Sequence, residues 1–158
     1  MNKNIINKLN RSLAPLGFRK DGSTWRRNHR MAFDVVGLQL AQYSTGVTVK
    51  VGIYFKNLGN ETNPTAEMCQ LRKALHGSVD GVAVEAYAEE FDDSDDQVGR
   101  FVTVLQHDGL PWFDAAKTRK GALAALAQTT EAASPALLDA MKYGTIEWQD
   151  DGTQADPQ

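Results

Sequence analysis

Residues able to do chemistry crowd a short stretch near the N-terminus. Arg19, Lys20, Arg26, Arg27, His29 and Arg30 flank Phe18 and Trp25. Basic groups interleaved with aromatic rings hold anions and stack on bases. Arg19, Lys20, Trp25, Arg26, Arg27 and Arg30 are therefore the candidate surface for an anion or a partner. The same pattern also describes core aromatics with solvated cations on an edge strand, where charge discourages sheet-to-sheet pairing.

A second cluster is acidic. Asp92, Asp93, Asp95 and Asp96 follow Glu89 and Glu90. Hard cations such as Ca²⁺ want several converging oxygens. Counted from Asp92, the sixth and twelfth positions of a calcium loop are Gln97 and Thr103, where Gly and Glu are needed. The acids fit better as the start of a helix, where negative charge is favoured.

His29, His76 and His107 show no metal-ligand spacing. His107 fits a helix C-terminus as a cation. Cys69 is the single cysteine, so neither an internal disulfide nor a multi-cysteine zinc site can form. No nucleophile elbow, dinucleotide glycine motif or phosphate-loop lysine occurs. No cofactor or metal is expected.

Charge bounds the partners. The chain has 158 residues and a net charge of −3, which argues against a generally basic nucleic-acid binder. That value hides an asymmetry. Residues 1–50 hold nine Lys/Arg and two acids, and the rest hold eight Lys/Arg and eighteen acids, giving +7 followed by −10. The longest apolar run, Ala122–Ala127, is far too short to span a bilayer. With no signal-peptide core near Ile5-Ile6, a cytoplasmic protein is expected.

The elements that must position these residues follow from periodicity. Ile5, Ile6, Leu9, Leu13 and Leu16 form one stripe on a helix from about Asn2 to Leu16, ending at Gly17. Asp21-Gly22 signals a turn, Ser23–Asn28 a short strand, and Met31–Tyr43 a strand covered on both faces. Val47, Val49, Val51, Ile53 and Phe55 alternate with Thr48, Lys50, Gly52, Tyr54 and Lys56, the clearest strand signal. Asn57–Pro64 has the composition of a loop. Residues 65–91 read two ways: Met68, Leu71, Arg72 and Leu75 suit a helix, while Cys69, Leu71, Lys73 and Leu75 suit an edge strand. Val82–Phe91 reads as one short strand.

Val98, Phe101, Val102 and Leu105 share a helical face, and Gly109-Leu110-Pro111-Trp112-Phe113 reads as a break. Thr118 caps a helix with Leu123 and Leu126. Ser134-Pro135 opens another, which ends at Gly144. Segregated strands and helices give an α+β class: an N-terminal helix, an antiparallel meander sheet of four to five strands, then C-terminal helices packed on one face. Residues 1–148 form the domain, and 149–158 an acidic flexible tail.

The run Leu13-Ala14-Pro15-Leu16-Gly17-Phe18-Arg19-Lys20-Asp21-Gly22-Ser23-Thr24-Trp25-Arg26-Arg27 resembles the bacterial Domain of Unknown Function 4304 family. Val51-Gly52-Ile53-Tyr54 and Gly109-Leu110-Pro111-Trp112 also fit. The family's paired tryptophans before the central helix are replaced by Ala86-Tyr87. The resemblance implies an α+β domain for which no activity or catalytic residues are established.

Three functions remain open. The leading one is a non-enzymatic binding module for a protein partner, immunity-like or regulatory, docking through the open sheet face or an acidic surface. The alternatives are nucleic-acid or nucleotide binding through the basic segment, and an enzyme with its site at the sheet edge.

Overall fold

The computed structural model of the protein describes residues 3–40, 47–75, 77–79, 82–84, 87–88, 95–128 and 133–148. The N-terminal stripe forms α1 (Lys3–Leu13), with Ile5, Ile6, Leu9 and Leu13 buried. Pro15 lies in a 3-10 turn, Ala14–Leu16, which tightens the helix end. Gly17 stops it at φ +93°, a left-handed conformation that glycine adopts without strain.

The chain then folds as a meander: β1 (Arg19–Asp21), β2 (Thr24–Asn28), β3 (Ala32–Leu40), β4 (Val47–Phe55) and β5 (Leu71–Ala74). These strands pair antiparallel in chain order. The expected antiparallel meander of four to five strands is thus present with five, and the class is α+β. β1 was hidden in the sequence between a helix end and a turn. It is three exposed residues long, with no alternation to read. The ambiguous segment resolves as the edge strand β5, with Met68 in a 3-10 turn, Ala66–Met68.

β6 (Gly77–Val79) and β7 (Val82–Val84) form a separate hairpin, and β8 (Tyr87–Ala88) pairs with β4. The expected single strand over Val82–Phe91 is therefore divided between two sheets within its described residues.

Strand alternation gives the sheet two distinct faces. Trp25, Val36, Leu38, Val49, Val51, Ile53 and Phe55 point inward into the main core. That core is closed by α1, α2 (Asp95–Val104), α3 (Leu110–Ala116), α4 (Arg119–Gln128) and α5 (Pro135–Tyr143). On the outer face, Val35, Tyr54, Ala66 and Cys69 form a smaller cluster. There the segment between Gly59 and Gln70 straps the sheet. Its fit is close: a Cβ on Gly52 would lie 2.6 Å from the Cys69 Cβ.

The expected break at Gly109–Phe113 does not occur. α2 passes into α3 through a π-helical turn, Leu105–Gly109. Pro111 has no N–H for an ordinary helical bond, and its ring clashes with the carbonyl four residues back; a π turn fits such an insertion. His107 accordingly lies within a continuous helical run rather than at a helix C-terminus.

Thr118 does cap α4, its hydroxyl accepting from the Gly121 N–H at 3.1 Å. Ser134 caps α5 by accepting from Leu137 N–H, and Gly144 ends it at φ +67°. Among the described residues, no helix is long and apolar enough to cross a membrane. Residues 149–158, expected as a tail, lie outside the described residues.

Candidate functional site

The outer face of the sheet carries a recess of about 640 Å³. Its walls come from the β1–β2 hairpin, the start of β3 and the strap. Arg19, Lys20, Asp21 and Arg26 line it, with Asn28, Phe33, Thr62 and Asn63. The hairpin explains the convergence. Gly22, at φ +63°, allows the tight turn, and Arg19 is then the cross-strand partner of Arg26. Residues opposite each other on adjacent strands share a face.

Arg26 is a fixed component. Its Nε donates to Pro64 O at 2.7 Å and Nη2 to Asn63 O at 3.1 Å. Its Nη1 pairs with Asp21 at 3.0 Å. A guanidinium carries five N–H donors, so three bonds leave two for a ligand. These bonds fasten the strap to the sheet and hold the cation still.

Arg19 and Lys20 are different. Both are exposed, and neither makes an ion pair with a described residue. Phe33 gives the recess an apolar wall, and Lys56 Nζ stands 4.7 Å from its ring centroid.

The other candidates do not join this recess. Trp25 is buried in the core, its Nε1 donating to Asn10 Oδ1 at 3.2 Å. Arg30 is exposed in the turn between β2 and β3 and does not line the recess. Arg27 faces the opposite side of the sheet, directly across from Asp34.

Asp34 holds a second polar cluster, buried against the helices. Its Oδ1 accepts from Lys117 Nζ at 2.6 Å. Its Oδ2 accepts from Arg27 Nε at 2.9 Å and lies 2.7 Å from His29 Nε2. The same His29 Nε2 lies 3.2 Å from Lys117 Nζ, so imidazole, ammonium and carboxylate meet in one cluster. Arg27 also stacks over Phe18 at 4.7 Å.

Burial pushes the Asp34 carboxyl up, but the His29 hydrogen bond and the nearby Lys117 ammonium outweigh it. The carboxyl is held below its usual range. Burial lowers Lys117, and the Asp34 charge only partly restores it.

Sequence reasoning passed over Asp34 and Lys117. One signal was present: Asp34 is a lone charge inside a strand covered on both faces, and such a charge needs partners. Nothing local marked Lys117 as its partner, 83 residues away.

Cys69 lies on the strap, buried against Gly52 of the sheet, and burial pushes its thiol up. It therefore lacks the thiolate character a nucleophile needs. Among the described residues, no group of three or more His, Cys, Asp or Glu converges to hold a metal. His76 and Glu89–Ser94 lie outside the described residues. Asp95 and Asp96 occupy the first turn of α2, the favourable end of that helix for acids.

The fold and recess define a small α+β domain with a basic groove on its strapped sheet face. The chain belongs to the family described as Domain of unknown function (DUF4304), whose sequence model matches residues 9–115. No curated protein and no solved structure matches it.

Proposed function

We propose that the protein is a non-enzymatic binding module of the cytoplasm that takes an acidic segment of a protein partner in the outer recess. One observation carries the reading. Arg19, and Lys20 beside it on the edge strand, make no ion pair with a described residue at a recess where Arg26 is fixed in place by Asp21 and the strap. Complementary charge then supplies both orientation and a faster encounter. The overall charge of −3 favours a local acidic peptide over a long polyanion, since nucleic-acid affinity grows with the number of phosphates neutralised.

The two polar clusters also bear on catalysis. Of the groups with perturbed protonation, Asp34 and Lys117 lie on the helix side of the sheet, and Cys69 is a thiol buried in the outer cluster, outside the lining of the recess. The recess lies on the other side. An active site would want both in one place.

Fluorescence anisotropy with labelled hexaglutamate tests the reading, with a single-stranded DNA 12-mer beside it. The expected result is salt-sensitive peptide binding that is lost in Arg19→Glu/Lys20→Glu. Equal or tighter binding of the oligonucleotide contradicts it, as does peptide binding indifferent to the double variant.

A further inference from the structure

The outer face holds a second recess, of about 340 Å³. Ser23, Thr24, Gly37, Lys50, Thr65 and Glu67 are among its lining residues. Thr24 lies two residues from Arg26 on β2, so both recesses open on the same face of the sheet. The strap borders both. Thr62 and Asn63 line the first recess, and Thr65 and Glu67 the second. Arg26 grips the strap at Asn63 and at Pro64, the residue between those two pairs.

The second recess has its own cation. Lys50 is half-exposed, and its one described ion pair is with Glu67 at 3.7 Å. Both partners are solvent-accessible, so the pair is weak and exchangeable. An incoming carboxylate can replace Glu67 without burying a charge.

Register fixes the separation of the cations. Asp21 pairs with Thr24, Thr24 with Gly37, and Gly37 with Lys50, a row that runs beside the strap. Arg19 is two residues from Asp21 on the same face. Three strand spacings of about 4.8 Å and two residues of about 3.3 Å place the backbones of Arg19 and Lys50 roughly 16 Å apart. An extended chain covers about 13 Å in four residues, and side-chain reach makes up the rest.

We infer that the two recesses form one site for an extended peptide whose two acidic residues stand four positions apart, one at Arg19 and Arg26 and the other at Lys50. Hydroxyls of Thr24 and Thr65 meet the uncharged residues between them. This rests on the proposed function above and specifies its ligand.

The test uses two labelled peptides of equal composition, Ser-Glu-Ser-Thr-Ser-Glu-Ser and Ser-Glu-Glu-Ser-Thr-Ser-Ser. The spaced peptide is expected to bind about three- to fivefold tighter, the range an exposed ion pair supports. Lys50→Gln should erase that preference, bringing the spaced peptide down to the affinity of the adjacent-acid peptide. Thermal unfolding of Lys50→Gln at the wild-type temperature shows that the loss is local. Equal affinity for both peptides, with Arg19→Glu/Lys20→Glu still abolishing binding, overturns this inference alone. Failure of both peptides to bind overturns it together with the proposed function.

Discussion

Lys117 Nζ sits 2.6 Å from Asp34 Oδ1, and both side chains are completely buried. The pair joins β3 to the turn between α3 and α4. That turn has little slack: Thr118 N–H and Oγ1 both donate to Ala115 O, and a Cβ on Gly121 would fall 1.8 Å from that oxygen. Lys117→Met leaves Asp34 with Arg27 and His29 but removes its most buried partner. Breaking one side of a buried pair costs about 3–5 kcal/mol. Urea unfolding should show a loss in that range, and a loss under about 1 kcal/mol contradicts the role given to the pair.

The same carboxylate sets a pH dependence. Asp34 has a folded pKa below its unfolded value of about 3.9. Its stabilisation is therefore fully present above about pH 4 and is lost as pH falls through the lower folded value. Lys117 is protonated in both states over that acid range and adds no slope there. The stability difference between wild type and Asp34→Asn should be largest near pH 6 and shrink steadily below pH 4. A difference that stays constant to pH 2 contradicts the assignment.

Much of this fold was legible because the apolar spacing is regular. Val47–Phe55 alternates without interruption, and α1 keeps one stripe from Ile5 to Leu13. Gly17, Thr118 and Ser134 each act within a few residues of themselves, so their signals survive in the sequence. β1 was not legible, because all three of its residues are exposed. Gly109 and Pro111 looked like a break because propensity does not register a π turn.

The site was legible only in part. Arg19, Lys20 and Arg26 were identifiable as cations, but not which face each occupies. One residue of register separates Arg26, in the recess, from Arg27, against the helices. Thr62 and Asn63 carried no signal, because the strap that brings them there follows from long-range packing.

Trp25 belongs to the core rather than to a stacking surface. Trp25→Phe removes the hydrogen bond to Asn10, worth about 1 kcal/mol, together with some packing. It should lower the unfolding midpoint and leave peptide affinity unchanged in the anisotropy assay. A selective loss of binding at full stability would return Trp25 to the site.

The strap should couple stability to binding. Gly52→Ala forces a contact with Cys69, whose Cβ and Sγ would lie 2.6 and 2.8 Å away. Overpacking of this kind costs about 1–3 kcal/mol. Because Asn63 and Thr62 ride on the strap, the variant should also bind peptide more weakly while Arg19 and Lys20 are intact. Unaltered affinity in a destabilised Gly52→Ala protein contradicts that coupling.

The most direct measurement is an amide chemical-shift titration of the ¹⁵N-labelled protein with the spaced acidic peptide. The account predicts shifts concentrated at Arg19, Lys20, Arg26, Phe33, Thr62 and Asn63 in the first recess and at Thr24, Lys50 and Thr65 in the second, with the helices α3, α4 and α5 quiet. Shifts centred on those helices, or spread without focus across the chain, contradict an acidic partner seated on the outer face.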